Sequence, residues 1–196
     1  MNVYDFDGTI YTGDSSRDFY IYCLMRQPSL IKLMPRQARA GVAYLMSQAR
    51  TFNKPPHERP DKTAFKEAFY SYLPYVRDIT EMVDYFWDDH LNNLQAWYML
   101  IKRDDDVIIS ASPVFLLDPI CRQLNVRLIA SDVNSHTGKC ISLNCGGREK
   151  PIRFRERFPN DIIDKFYSDS DNDLPMAREA TQAFKVKNGH IHSWKA

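Results

Sequence analysis

Long apolar runs are missing from this 196-residue chain, so no window approaches the length a bilayer span needs, and no basic segment followed by an apolar stretch opens it. A soluble, cytoplasmic protein is the expectation. Net charge is scarce as well: 26 Lys and Arg stand against 25 Asp and Glu, a formal +1, and no global field marks a nucleic-acid partner. Cys23, Cys121, Cys140 and Cys145 are scattered, with no CxxC pair and no histidine at zinc-finger spacing. They read as free thiols, not as a disulfide framework or a zinc site. Glycine is sparse at 7 residues while aromatics reach 13%, the composition of a well-packed body, and no repeat or low-complexity tail interrupts it. The length suits one domain, or a core carrying an insertion.

One absence is local. Between Asp18 and Glu58 there is no acid, while Arg26, Lys32, Arg36, Arg39, Arg50 and Lys54 occur among Met, Leu, Tyr and Phe. The stretch reads first as a solvated helix face balanced by acidic residues 78 to 89. The other reading is a basic amphipathic surface that attracts an anionic substrate or sits on acidic lipid headgroups.

Periodicity orders the chain. A strand-like run, Met1 to Tyr4, empties into Asp5-Phe6-Asp7-Gly8-Thr9. Asp14 or Ser15 can cap a helix with Phe19, Tyr22 and Cys23 inward, and Pro28-Ser29 interrupts it. A second helix starts near Pro35 with Ala38, Val42, Leu45, Met46 and Ala49 on one face, expected inward, until Lys54-Pro55-Pro56. A third runs from Asp61 with Ala64, Phe65, Ala68, Phe69 and Tyr72 inward and stops at Pro74, and a fourth from Asp78 carries Ile79, Met82, Val83 and Phe86.

The second half alternates. A helix with Leu94, Trp97, Tyr98 and Ile101 leads through Asp104-Asp105-Asp106 into Val107-Ile108-Ile109-Ser110, the kind of apolar run seen in buried parallel strands. A helix over 113 to 124, a strand over 126 to 130, a hairpin around His136-Thr137-Gly138, a helix over 148 to 158 and a strand over 162 to 167 follow. A helix over 175 to 181, a strand over 183 to 186, and from Asn188 a turn and a tail complete the chain. Strand and helix in alternation imply a parallel sheet, whose carboxyl edge is where ligands bind. Asp5 and Asp7, then Ser110, then Asp169 with Asp173 would all lie there.

The Asp5-x-Asp7-Gly8-Thr9 stretch, Ser110 after an apolar strand, Lys150 and Asp169 with Asp173 resemble, in order, the four motifs of the haloacid dehalogenase superfamily, and they span the whole core. The resemblance implies an α/β fold, a doubly wound, Rossmann-like parallel-sheet core of residues 1–13 and 89–196, with an inserted α-helical cap over 14–88 like that of the phosphoserine-phosphatase-like branch. It also implies a Mg²⁺-dependent phosphatase that hydrolyses a small phosphorylated metabolite through an aspartyl-phosphate. Asp5 would be nucleophile and metal ligand, and Asp7 acid and base, with its carbonyl on the metal. Asp169 would complete the ligands and Asp173 hold a metal water. Ser110, preferred over Ser112, Lys150, preferred over Arg148 and Arg153, and Thr9 would bind phosphate. Asp14 is either a helix cap or a substrate-facing acid, and Asp171 a capping or solvated carboxylate. The acid at Asp7 favours phosphoryl transfer over dehalogenation. A phosphotransferase with the same intermediate, or an idle module binding anionic surfaces through the basic cap, are the alternatives.

Overall fold

β1 (Asn2–Tyr4) is three residues long, yet it lies at the centre of a six-stranded sheet of order β3-β2-β1-β4-β5-β6 in a computed structural model that describes residues 1–51, 53 and 62–195. β2 (Val107–Pro113) and β4 (Ile163–Ser168) flank it in parallel, pairing Tyr4 with Ile108 and with Tyr167. β3 (Arg127–Ser131) and β5 (Ala180–Lys187) extend the sheet in parallel, and β6 (His190–Ser193) closes one edge antiparallel to β5. Because β1, β2 and β4 are adjacent and run the same way, their carboxyl ends meet at one edge.

Several elements differ from expectation. The tail expected from Asn188 is instead β6. Asn188 and Gly189 both take positive φ, 50° and 77°, which matches the twist of a two-residue hairpin and turns the chain back onto β5. α8 (Leu174–Ala177) is shorter than the expected 175–181, since Ala180 and Thr181 already belong to β5. The hairpin around residues 136–138 reduces to one bridge, Val133 with Cys140. Pro74 lies inside a 3₁₀ turn, Tyr70–Tyr75, without ending it.

Between β1 and residue 90 the described residues hold helices and no strand of the sheet: α1 (Ser15–Arg26), a 3₁₀ turn (Pro28–Leu33), α2 (Met34–Arg50), α3 (Thr63–Phe69) and α4 (Ile79–His90). Asp14 caps α1 by accepting the Arg17 amide at 2.9 Å, and Asp78 caps α4 by accepting that of Glu81 at 3.0 Å. The expected stop at Lys54-Pro55-Pro56 and the start at Asp61 lie outside the described residues, as does Glu58.

α2 is turned the other way from expectation. Gln37, Gly41 and Tyr44 face α3: the Gln37 amide donates to Phe69 O at 2.8 Å, and the Tyr44 ring stacks on Phe65 at 5.1 Å. Val42, Leu45 and Met46 are 52%, 67% and 57% exposed. The partner helix offers a ring and a carbonyl, which small and polar residues meet more closely than branched apolar ones.

One apolar cluster joins β1 to α1, α4, α5 (Ala96–Ile101) and the core helix α6 (Val114–Gln123). Phe86 sits at its middle, with no exposed surface, against Phe19, Tyr22 and Trp87, and Trp87 donates its indole N–H to Leu116 O at 2.6 Å. The four cysteines are free thiols, as expected. No described helix is long and apolar enough to cross a membrane. Phe86→Ala should lose about 3–5 kcal/mol in chemical denaturation, because the void opens between helices that pack on both sides of it.

Candidate active site

β1 ends at Tyr4, and the Asp5 amide still reaches Tyr167 O at 2.9 Å, so the first carboxylate leaves the sheet in register with β4. The chain then folds over itself. The amides of Thr9, Ile10 and Tyr11 all point to Phe6 O, and Gly8 takes φ +72°. A Cβ at Gly8 would stand 2.2 Å from Asp169 Oδ2, so the absence of a side chain there is what lets the loop after β4 close on the first turn. Thr9 is fully buried and its Oγ1 accepts the Asp169 amide at 3.0 Å. Its hydroxyl thus joins the two loops.

Lys150, on α7 (Glu149–Arg157), enters this edge from below. Its Nζ donates to Asp5 Oδ1 and to Asp173 Oδ2, both at 2.6 Å, and the residue is 2% exposed. Ser168 Oγ adds a bond to Asp173 Oδ2 at 2.8 Å. Arg153, the rival cation, is spent on the carbonyls of Ala130 and Leu143. Burial alone would lower the Lys150 pKa, but Asp5 and Asp173 outweigh it and raise it, so the ammonium keeps its charge. Burial pushes the Asp5 carboxyl up to about 8 against the pull of Lys150.

Asp7 faces the same opening with different partners. The Ser15 amide donates to its Oδ1 at 2.6 Å and the Ser112 hydroxyl to its Oδ2 at 2.5 Å. Burial first, and Asp14 second, raise its pKa. Ser112 Oγ bonds Ser16 Oγ at 2.9 Å, and Ser16 bonds the Tyr70 hydroxyl at 3.0 Å, a buried chain from the helical segment to the acid. β2 runs on to Pro113, past the end expected at Ser110, with a register shift after Ile109; there Ser110 Oγ accepts the Ser112 amide at 3.0 Å, and Ser112 holds Asp7.

A cleft of about 1240 Å³ covers these groups, lined by Asp5, Asp7, Ser110, Lys150 and Asp173 from the sheet edge and by Asp14, Tyr44, Phe65 and Lys66 from the helical segment. Asp14 caps α1 and also lines the cleft. Asp171 is solvated and pairs with Lys185 at 2.8 Å. Lys66 is a residue the sequence did not single out. It donates to Ala111 O, and burial draws its pKa down to about 8. A lysine on a short amphipathic helix looks like any solvated cation until the fold aims it inward.

The donor chemistry fits a divalent cation. The Lys150 ammonium contacts only Asp5 and Asp173, while burial raises the carboxyls of Asp7 and Asp169, neither of which forms a salt bridge among the described residues. No set of three acid, His or Cys side chains stands ready to ligate a metal among the described residues. Two carboxylates and a main-chain carbonyl do suit Mg²⁺, which keeps several of its waters.

The family model of haloacid dehalogenase-like hydrolases matches residues 3–178, and the chain belongs to that family. No curated protein matches it by sequence. Among solved structures, a protein of unknown function from Bordetella pertussis Tohama I is similar over 93% of this chain and 87% of its own, with 20% identity and a TM-score of 0.68. A phosphoserine phosphohydrolase-like protein from Francisella tularensis subsp. tularensis SCHU S4 is 16% identical over 93% and 86% of the two chains, TM-score 0.55. A probable phosphoserine phosphatase from Vibrio cholerae is 14% identical over 93% of this chain and 55% of that one, TM-score 0.53. These likenesses establish the Rossmann-like core with its helical insertion.

Lys150→Met should leave Asp5 and Asp173 buried without their cation and cost about 3–5 kcal/mol in denaturant unfolding. Adding Asp173→Asn should return part of that loss, since one of the two orphaned charges is then gone.

Proposed function

We propose that the protein is a Mg²⁺-dependent phosphatase acting on a small phosphomonoester through an aspartyl-phosphate on Asp5, with residues 14–88 as the cover over its cleft. The observation that carries this reading is the contact of Lys150 with Asp5 at 2.6 Å, in a cleft that also holds Asp7 on separate donors. Two carboxylates in one site thereby have different partners: one has a cation against it, the other has hydroxyl and amide donors, and burial raises the pKa of both.

Asp5 Oδ attacks phosphorus, the P–O ester bond breaks, and Asp7 gives its proton to the departing alcohol oxygen. Asp7 then takes a proton from a water that attacks the same phosphorus, releasing inorganic phosphate and restoring the Asp5 carboxylate. Lys150 and the hydroxyl and amides at Ser110 bind the phosphoryl oxygens, and Asp173, 2.6 Å from the Lys150 ammonium, orients it and would help hold the metal. Asp5, Asp169 and the Asp7 carbonyl would hold Mg²⁺, which supplies neutralisation of the phosphoryl oxygens when bound. The raised Asp5 pKa suits this, because an additional cation returns that carboxyl to its ionised, nucleophilic form. Asp14 and Lys66, from the cover, face the alcohol part of the substrate.

Asp5→Asn should lower hydrolysis of an aryl phosphate on the order of 10³-fold or more with an unchanged circular dichroism spectrum. EDTA should abolish the wild-type rate and added Mg²⁺ restore it; full activity in the variant excludes the mechanism. Lys66→Met should reduce kcat/KM by about tenfold or more without lowering Tm, because the ammonium it removes is partly desolvated and serves the substrate more than the fold.

A further inference from the structure

α2 carries two faces, and the inner one is already used. Tyr44 and Gln48 line the cleft. On the outer half, helical spacing places Met34, Ala38, Val42, Leu45, Met46 and Ala49 in one apolar stripe, and Arg36, Arg39 and Arg50 in a basic stripe beside it. Every one of these residues is exposed, Leu45 at 67% and Met46 at 57%. Just before α2, in the 3₁₀ turn, Ile31 is 60% exposed and Lys32 is exposed beside it.

The acidic residues 78 to 89 do not balance this surface. Asp89 pairs with Arg26 at 3.0 Å, but Lys32, Arg36, Arg39 and Arg50 have no acidic partner among the described residues. Clustered apolar side chains in water are unfavourable, and neighbouring unpaired cations repel one another. One environment relieves both at once: a bilayer surface, where flexible Met, Leu and Val chains enter the acyl boundary and the arginines meet phosphate and carboxylate headgroups. A second copy of this chain fits less well, because a two-fold contact would set basic stripe against basic stripe. The outer face also has no aromatic anchor of the kind that centres protein–protein interfaces.

We infer that the outer face of α2, with the 3₁₀ turn before it, is a docking surface for anionic membrane. The helix would lie in the interface plane and leave its inner face as the wall of the cleft. This inference stands apart from the catalytic reading, since none of the docking residues is placed in the reaction.

Vesicles of phosphatidylcholine alone and of phosphatidylcholine with phosphatidylglycerol test it by sedimentation. The wild-type chain should pellet with the anionic vesicles and not with the neutral ones, and high salt should release it. Arg36→Glu with Arg39→Glu should weaken binding on the order of tenfold or more, and Leu45→Glu with Met46→Glu should weaken it similarly. Both variants should keep the wild-type Tm and aryl-phosphate hydrolysis. Failure of the wild-type chain to bind anionic vesicles at low salt, or equal binding to neutral ones, overturns the proposal. So does binding that both double variants retain. Light scattering that shows a concentration-dependent dimer dissolved by Leu45→Glu with Met46→Glu also overturns it, and assigns the face to self-association instead.

Discussion

The Lys150 ammonium between Asp5 and Asp173 is the interaction on which the site depends. Two buried carboxylates within reach of one another repel strongly in a medium that screens poorly, and a shared cation is what makes their closeness tolerable. The arrangement also ties three distant stretches of sequence together: the end of β1, the start of α7 and the loop after β4. Without it, Asp5 and Asp173 would lie buried with no cation in contact. With it, the edge is held in a geometry that leaves Asp7 and Asp169 free of direct pairing with a basic side chain among the described residues. That remainder of negative charge is what the proposed Mg²⁺ would neutralise.

Sheet order explains why so few residues can build this site. β1 contributes only Asn2 to Tyr4, yet β2 and β4 pair with it on both sides, so the residues just past each strand fall next to one another without any long loop reaching across. The apolar side of the same edge is stiff: Tyr4 stacks on Tyr167 at 4.8 Å, and Tyr167 on Phe184 at 4.9 Å. Tyr4, the residue before Asp5, is thereby fixed among stacked rings, and preorganisation of that kind is what a charged transition state requires.

The candidate site was legible because its chemistry is local in sequence. An apolar strand ending in Asp5 and Asp7, another ending at Ser110, and a third followed by Asp169 are short patterns whose meaning does not depend on distant packing. Lys150 was legible only by resemblance, since nothing in Arg148 to Arg153 says which cation turns inward. The hydroxyl chain through Ser112, Ser16 and Tyr70 was not legible, because it joins residues far apart whose types suit any turn or helix. β6 was missed for a related reason: His190 to Ser193 is wholly exposed and carries no apolar alternation, and its one signal was the Asn188-Gly189 pair.

α2 shows where periodicity gives a face but not its direction. Ala38, Val42, Leu45, Met46 and Ala49 do share one side of a helix, and that much follows from spacing. Whether such a side turns inward depends on what the neighbouring element offers, and α3 offers Phe65 and the Phe69 carbonyl, which Gln37, Gly41 and Tyr44 satisfy. With the inner positions filled by residues that hydrogen-bond or stack, the apolar stripe has no interior left to occupy. The absence of acid from the same stretch then acquires a physical sense. A carboxylate beside Arg36 or Arg39 would neutralise the helix's outer face, and its absence leaves that face both apolar and cationic, the combination suited to anionic headgroups.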